Sequence, residues 1–314
     1  MGLGSTSYGI FTLSDKAFKW EMLENKILKS FLFGSEHPSP EAIEAYLSQH
    51  HLFFCYMTSL NQAVHFIFDA AAFAKLQPQL KLLDICFPCK GNLAPLLSKL
   101  KGERAQLIKH NIACVKVIVY EENGLKESSL SVLDKGLVLR IIDVGPLSPK
   151  DFKILVQLSA PLVGCTGDNS LAAALSYGKI PFYEKSPHKV SLAANLLKLV
   201  EEKLGLDSEL HQYLSAKLYT SNAFAQLFPF SPKIVQEAKT LGAYIRENYS
   251  FNAVIQGLAN YQLYRLQHPH FAASIDRIQI QFIQGEITLT EAKKQIEVEL
   301  LKTEAIPLKI SQAD

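Results

Sequence analysis

The chain has 314 residues, 48% of them hydrophobic, with 16 glycines and 14 prolines. This composition supports a folded core and excludes disorder over most of the length. Thirty-two lysines and arginines against 30 aspartates and glutamates leave a net charge of +2, too weak a field to gather nucleic acid non-specifically, so nucleic acid is not an expected partner.

The N-terminus, Met1-Gly2-Leu3-Gly4-Ser5-Thr6, lacks the basic start and apolar middle of a secretory signal. The most apolar long stretch, 51–74, is interrupted by Asn61, Gln62, His65 and Asp69, so no transmembrane segment is expected. A cytoplasmic, reducing location is therefore the expectation. Five cysteines, Cys55, Cys86, Cys89, Cys114 and Cys165, agree with it, because an odd number lying mostly in apolar runs is no disulfide framework. Gly2 with Thr6 also matches the short pattern of an N-myristoylation signal, one that recurs by accident.

In chain order, helical spacing covers 15–33, which carries Trp20, and the Pro38, Pro40 pair opens a second helix reaching about residue 49. Apolar, β-branched or aromatic runs then predict strands over 52–57, 80–87, 113–120, 137–144, 161–165 and 180–184. Helical segments fall between them at 61–75, 93–110, 150–158 and 170–177. The alternation predicts an α/β fold, a Rossmann-like parallel sheet covered by helices on both faces. After residue 186 the pattern becomes helical: 190–204, 209–227, 232–248, 253–266, 271–283 and 290–301, with Gly285 dividing the last two and Thr288 or Thr290 available as a cap. The expected organisation is an N-terminal connector with helices over 1–50, a Rossmann-like ligand-binding domain over 51–189, and an all-helical extension over 190–314.

The segment most informative about chemistry is Pro161-Leu-Val-Gly164-Cys-Thr166-Gly167-Asp168-Asn169-Ser170, followed by an Ala-rich helix, Gly178, and a further strand ending at Glu184. A strand, a turn of glycine and small polar residues, and a helix start place unpaired N–H groups and a positive dipole end at the carboxyl edge of a parallel sheet. Open α/β sheets bind ligands there. Gly164 and Gly167 would permit close backbone approach, and Thr166, Asn169 and Ser170 can donate to phosphate or ribose oxygens. Asp168 would repel a diphosphate and suits a cap, or an acceptor for a hydroxyl or base N–H. The plainer alternative is that Asp168 and Ser170 only cap a structural helix.

Residues Val163–Ser170, with the Ala-Leu-Ser-Tyr-Gly-Lys-Ile-Pro that follows, resemble the donor-binding loop and helix of GT-B glycosyltransferases. The likeness is nearest to bacterial enzymes related to the protein-arginine rhamnosyltransferases, whose loop reads Gly-Glu-Asp-Ser. Asp168 stands for that Glu, Asn169 for the Asp and Ser170 for the Ser. The segment Ile142–Phe152 is similar to the strand and helix that precede the donor loop, and Gly2-Leu3-Gly4 with Tyr8-Gly9-Ile10-Phe11 to the connector into the C-terminal half. The resemblance implies that 51–189 is the donor half of a GT-B fold and that the chain is a glycosyltransferase using a nucleotide-diphosphate sugar. It implies no metal or other cofactor, since no Asp-x-Asp pair is present, and donor contacts from Asp168, Asn169 and Ser170.

The chain departs from the family in two ways. Asn169 is an amide where the arginine-modifying enzymes carry a carboxylate. The acceptor half that normally comes first, with its general base, has no counterpart ahead of Met1. The expectation is thus a donor half working with a separate acceptor-domain partner on an unknown acceptor such as a protein, a reduced substitute built before His51, or a chain without catalysis. The last would be a non-catalytic GT-B-like interaction protein that binds a protein partner through its helical tail. No catalytic residue is assigned.

Other candidates border the same edge. Lys90, just after Cys86-Phe87-Pro88-Cys89, could neutralise a donor phosphate or stand solvated. The single CxxC reads as a redox or metal pair or as buried structural thiols. Glu184, His188 and Lys189 follow the last strand where the resembling enzymes hold the donor, although His188 could equally cap or face solvent. The remaining histidines show no metal spacing, and Tyr244, Tyr249, Tyr261 and Tyr264 suit a core or partner face better than a base-stacking platform.

Overall fold

The seven strands are β1 (His50–Cys55), β2 (Leu82–Phe87), β3 (Ile112–Glu121), β4 (Gly124–Ser131), β5 (Leu137–Asp143), β6 (Leu162–Cys165) and β7 (Ile180–Tyr183). In the computed structural model they form one sheet in the order β4-β3-β5-β2-β1-β6-β7, parallel except where β4 pairs with β3. The described residues are Thr12, 17–88, 93–121, 124–184, 190–219, 228–250 and 269–302, and the chain divides into two compact units, Met1–Phe251 and Asn252–Asp314. The fold class is α/β with a mostly parallel sheet, as the alternating pattern predicts.

Both faces of the sheet are covered. Successive residues of a strand point to opposite sides, so Phe53 meets Phe66 and Phe73 of α3 (Leu60–Ala74) while Phe54 meets Phe152 of α6 (Pro149–Leu158). The near-continuous burial of β1 and β2 follows. Strand β4, Gly-Leu-Lys-Glu-Ser-Ser-Leu-Ser, is absent from the sequence prediction because it is polar and mostly exposed. It is a strand because β3 supplies its ladder from Cys114↔Ser131 to Glu121↔Gly124, and its charges suit an outer edge.

Two predicted helices break. The segment 93–110 becomes α4 (Ala94–Gly102) and α5 (Arg104–Lys109), separated at Glu103, where φ −94° and ψ 28° leave the helical region. Arg104 then reaches the carbonyls of Ser131 and Val132 at 3.2 and 3.0 Å, anchoring α5 to the end of the hairpin. Within 15–33, a 3-10 turn at Trp20–Met22 precedes α1 (Lys26–Phe33). The Asp151 carboxylate accepts the N–H groups of Glu24 and Asn25 at 2.6 and 3.0 Å, and the Asn25 side chain caps α1 through Leu28 N–H at 2.9 Å. Helix α2 (Pro40–Leu47) starts on Ser39.

After α7 (Asp168–Ser176) come α8 (Val190–Leu204), α9 (Glu209–Tyr219) and α10 (Pro232–Asn248). They contribute Leu196, Leu199, Tyr213, Leu241 and Ile245 to the same core as the sheet. Helix α10 lies against the end of α7: a Cβ on Gly242 would stand 2.6 Å from the Leu175 carbonyl. Buried Asp69 of α3 accepts from Tyr213 Oη at 3.1 Å and from Lys217 Nζ at 2.8 Å, fastening α9 across the sheet face. The second unit holds α11 (Pro269–Ile283) and α12 (Leu289–Lys302) around Ile275, Ile278 and Ala292. Thr288 and Glu291 form a reciprocal cap before α12, with the Glu291 carboxylate accepting Thr288 N–H at 2.7 Å. Among the described residues no helix is long and apolar enough to cross a membrane.

The N-terminal helices are held to the sheet by a buried carboxylate. Asp84 on β2 lies opposite Arg140 in the β2–β5 register. It accepts from Tyr46 Oη of α2 at 2.6 Å and from Arg140 Nε at 2.6 Å and Nη2, and stands 2.9 Å from His50 Nδ1. Burial pushes the Asp84 carboxyl up, but the hydrogen bonds from His50, Arg140 and Tyr46 outweigh it and leave its pKa below the ordinary value. Replacing Asp84 with Ala strands the Arg140 guanidinium and should destabilise the fold by about 3–5 kcal/mol, read as a lower urea midpoint. The carboxylate's contribution should be complete above the unfolded-state pKa of about 3.8 and lost as pH falls through the lower folded-state value, so wild type and variant should converge in acid.

Candidate functional site: the carboxyl edge between β1 and β6

Strand order reverses between β1 and β6. The connection through α3 leads from β1 to β2 on one side, and the connection through α7 leads from β6 to β7 on the other. The loops that leave these strands, 56–59 and 166–167, lie at the topological switch point, the place where open α/β sheets bind ligands.

Gly164 sets how closely the two strands approach. It pairs with Cys55, and a Cβ added there would lie 2.8 Å from Cys55 Sγ and 3.1 Å from its Cα. Gly164 is buried, so its smallness serves the contact between β1 and β6 rather than a ligand.

The turn into α7 is self-contained. Gly167 N–H donates to Ser170 Oγ at 2.9 Å, and the Ser170 hydroxyl donates its proton to Gly167 O at 2.8 Å. The buried Ser170 side chain thus braces the turn and has no proton left for a phosphate oxygen. Gly167 has an extended φ of −114°, and among the described residues a Cβ there would meet only Ser170 Oγ, at 3.9 Å. Asp168 and Asn169 are exposed on the first turn, and Tyr183 Oη lies 3.4 Å from Asp168 Oδ1. Burial, and next the Asp168 charge, push the Tyr183 hydroxyl well above its usual pKa. The main-chain N–H groups of Asp168, Asn169 and Ser170 have no acceptor among the described residues. Together with the helix dipole they can hold an anion.

Glu184 does something the sequence did not indicate. It reaches the N-terminus of α3, where its carboxylate accepts Thr58 N–H at 2.8 Å, the Thr58 hydroxyl at 2.8 Å and Ser59 N–H at 2.9 Å. The hydroxyl of half-buried Thr166 is a further donor. Burial raises the Glu184 carboxyl, but the hydrogen bonds from Thr58, Thr166 and Ser59 more than reverse this and hold its pKa below the ordinary carboxylate value. Two helices thus begin at this corner: the start of α3 is filled by the protein's own carboxylate, and the start of α7 is open. Thr58, Ser59 and Tyr183 are site residues that the sequence reading missed. Ser59 with Gln62 three residues on, ahead of an apolar helix, is the capping pattern that could have placed the first two, and Ser59 Oγ does accept from Gln62 N–H at 3.4 Å.

Lys90, His188 and Lys189, and Cys89 of the CxxC, lie outside the described residues. Cys86 and Cys165 are fully buried, and burial pushes both thiols far above their usual range, so neither supplies a thiolate. No protein-family model matches the chain, and no curated protein is significantly similar to it.

Replacing Glu184 with Ala should uncap α3 and release Thr166 together. The expected cost is about 2–3 kcal/mol in chemical denaturation. The difference from wild type should be complete above the unfolded-state pKa of 4.5 and vanish as pH falls through the lower folded-state value and protonates the carboxyl.

Proposed function

We propose that this chain binds the diphosphate of a nucleotide-sugar at the open N-terminus of α7 and acts as the donor-binding part of a GT-B-type glycosyltransferase. The observation that carries the reading is the contrast at one corner of the sheet, where the α3 terminus is closed by Glu184 and the three N–H groups at the start of α7 have no acceptor among the described residues. The resemblance of residues 163–170 to the GT-B donor loop supports the same placement.

In this reading, the N–H groups of residues 168–170 hold the β-phosphate and take up the charge that develops on the diphosphate as the sugar C1–O bond breaks and its electron pair leaves with that oxygen. Asn169 offers an amide N–H to the phosphate or ribose. Asp168, exposed beside the helix start, accepts a sugar or ribose hydroxyl. Ser170 and Glu184, assigned to the donor by the resemblance, act here as positioning residues: one braces the Gly167 turn and the other joins loops 56–59 and 166–167. The acceptor and its base belong to a second lobe, as in the resembling enzymes, which is the acceptor-domain partner this reading requires.

A second reading, a non-catalytic interaction protein, is favoured by one observation. On α11, Ile280, Phe282 and Ile283 are 53%, 42% and 80% exposed, an apolar surface suited to a protein partner.

Gly167→Val separates the two. The backbone φ accepts valine and the added atoms have room, yet they would cover the α7 amides. Thermal-shift titration with UDP-, GDP- and dTDP-sugars should stabilise the wild-type protein, and the variant, folded and of similar melting temperature, should bind at least about tenfold more weakly, a loss of about 1.4 kcal/mol. No stabilisation by any nucleotide-sugar, or equal stabilisation of the variant, would leave the interaction protein as the better account.

A further inference from the structure

The opposite, amino edge of the sheet carries a second polar pocket. Its cavity of about 490 Å³ lies between the end of α3, the turn from α5 into β3, and the turn from β4 into β5. Three lysines line it, Lys75, Lys81 and Lys135, with no carboxylate among the lining residues. Lys81 Nζ donates to the Pro78 carbonyl at 3.0 Å, whereas the ammonium groups of Lys75 and Lys135 have no hydrogen bond or ion pair among the described residues.

His110 forms part of the same wall. It is 2% exposed, stacks on Phe68 with centroids 5.3 Å apart, and neither ring nitrogen has a hydrogen-bond partner among the described residues. An imidazole buried in this way forfeits its hydrogen bonds to water and calls for a reason. The backbone beside it turns sharply: Asn111, also in the lining, adopts φ +57° as it closes α5, a common role for asparagine, and Gly136 passes so close that a Cβ on it would lie 2.3 Å from Asn111 O.

We propose that this pocket binds a phosphate-bearing small molecule, with Lys75, Lys81 and Lys135 around the phosphate and His110 as the buried group that responds to its charge. Phosphate is favoured over carboxylate by the donor set. Three separate ammonium point charges suit a dianion with three terminal oxygens, and the planar fork of arginine that pairs with a carboxylate is missing from the lining. The volume is in the range of small-ligand sites. The charged groups acting on His110 are Lys75 from α3 and Lys109 from α5; burial foremost, and then these two, hold its pKa down at about 4. A dianion beside Lys75 removes part of that repulsion, so occupancy should raise the proton affinity of His110.

The test uses inorganic pyrophosphate, with citrate in parallel as the carboxylate arm, and the full-length Gly167→Val protein so that the α7 corner is closed. Calorimetry should show saturable pyrophosphate binding, at least about tenfold weaker after Lys75→Ala with Lys135→Ala; both side chains are exposed, so folding should be retained. In proton NMR, the titration midpoint of His110, at about 4 without ligand, should move upward on saturation. Failure to saturate, equal binding by citrate, an affinity indifferent to the double substitution, or a His110 resonance that does not respond would each overturn the proposal. The wild-type response to nucleotide-sugars is read separately, so the two sites stand or fall independently.

Discussion

The reach of Glu184 from the end of β7 to the start of α3 decides the chemistry of the whole carboxyl edge. A doubly wound sheet brings the positive ends of two helices to the corner where strand order reverses, and two adjacent anion sites would compete for one ligand. Filling the α3 end with a fixed carboxylate leaves one helix start whose N–H groups have no acceptor among the described residues. It also places a negative charge beside it, so a second phosphate bound toward β1 would meet repulsion.

This arrangement depends on Gly164. With no side chain at that position, β1 and β6 approach until the Cβ of any other residue would overlap Cys55. Loop 56–59 then comes within hydrogen-bonding reach of Glu184. A glycine that looks in the sequence like part of a phosphate-binding loop thus acts one step earlier, on strand spacing, and the spacing makes the tether available. The turn at Gly167 shows the same economy of means: Ser170, whose hydroxyl looks like a ligand donor, spends both its proton and a lone pair on the turn itself. What remains for a ligand is backbone, which sequence motifs represent only indirectly.

The sheet was legible because its signal is physical and local. Strands covered on both faces, such as 82–87 and 137–143, are mostly apolar, with Asp84 and Arg140 paired between them, and the helical segments between them carry their own spacing. What escaped the sequence was set by partners distant along the chain. Strand β4 has the composition of a loop and exists because β3 offers it a ladder. Helix α1 begins at Asn25 because Asp151, 126 residues on, holds the preceding N–H groups. The roles of Asp84 and Asp69 were illegible for the same reason, since a lone aspartate in an apolar run announces burial without naming its partner. At the site, the helix start and the exposure of Asp168 and Asn169 could be read from residue types, whereas the destination of the Glu184 carboxylate could not.

The two edges of the sheet also differ in electrostatic sign for a topological reason. Helix starts gather at the carboxyl edge and helix ends at the amino edge, so the amino edge carries the partial negative charge of unpaired carbonyls. Lysines there have a structural use: Lys75 caps α3, Lys101 sits in the last turn of α4, and Lys109 in that of α5. Dipole compensation does not extend to Lys81 and Lys135, which stand in the segments leading into β2 and β5 and follow no helix. These two bring the local positive charge above what the helix ends require, at the point where His110 is buried without a partner. A fold concerned only with its own stability gains nothing from collecting like charges around an unpaired imidazole, and an anionic ligand is the simplest species that makes both features favourable.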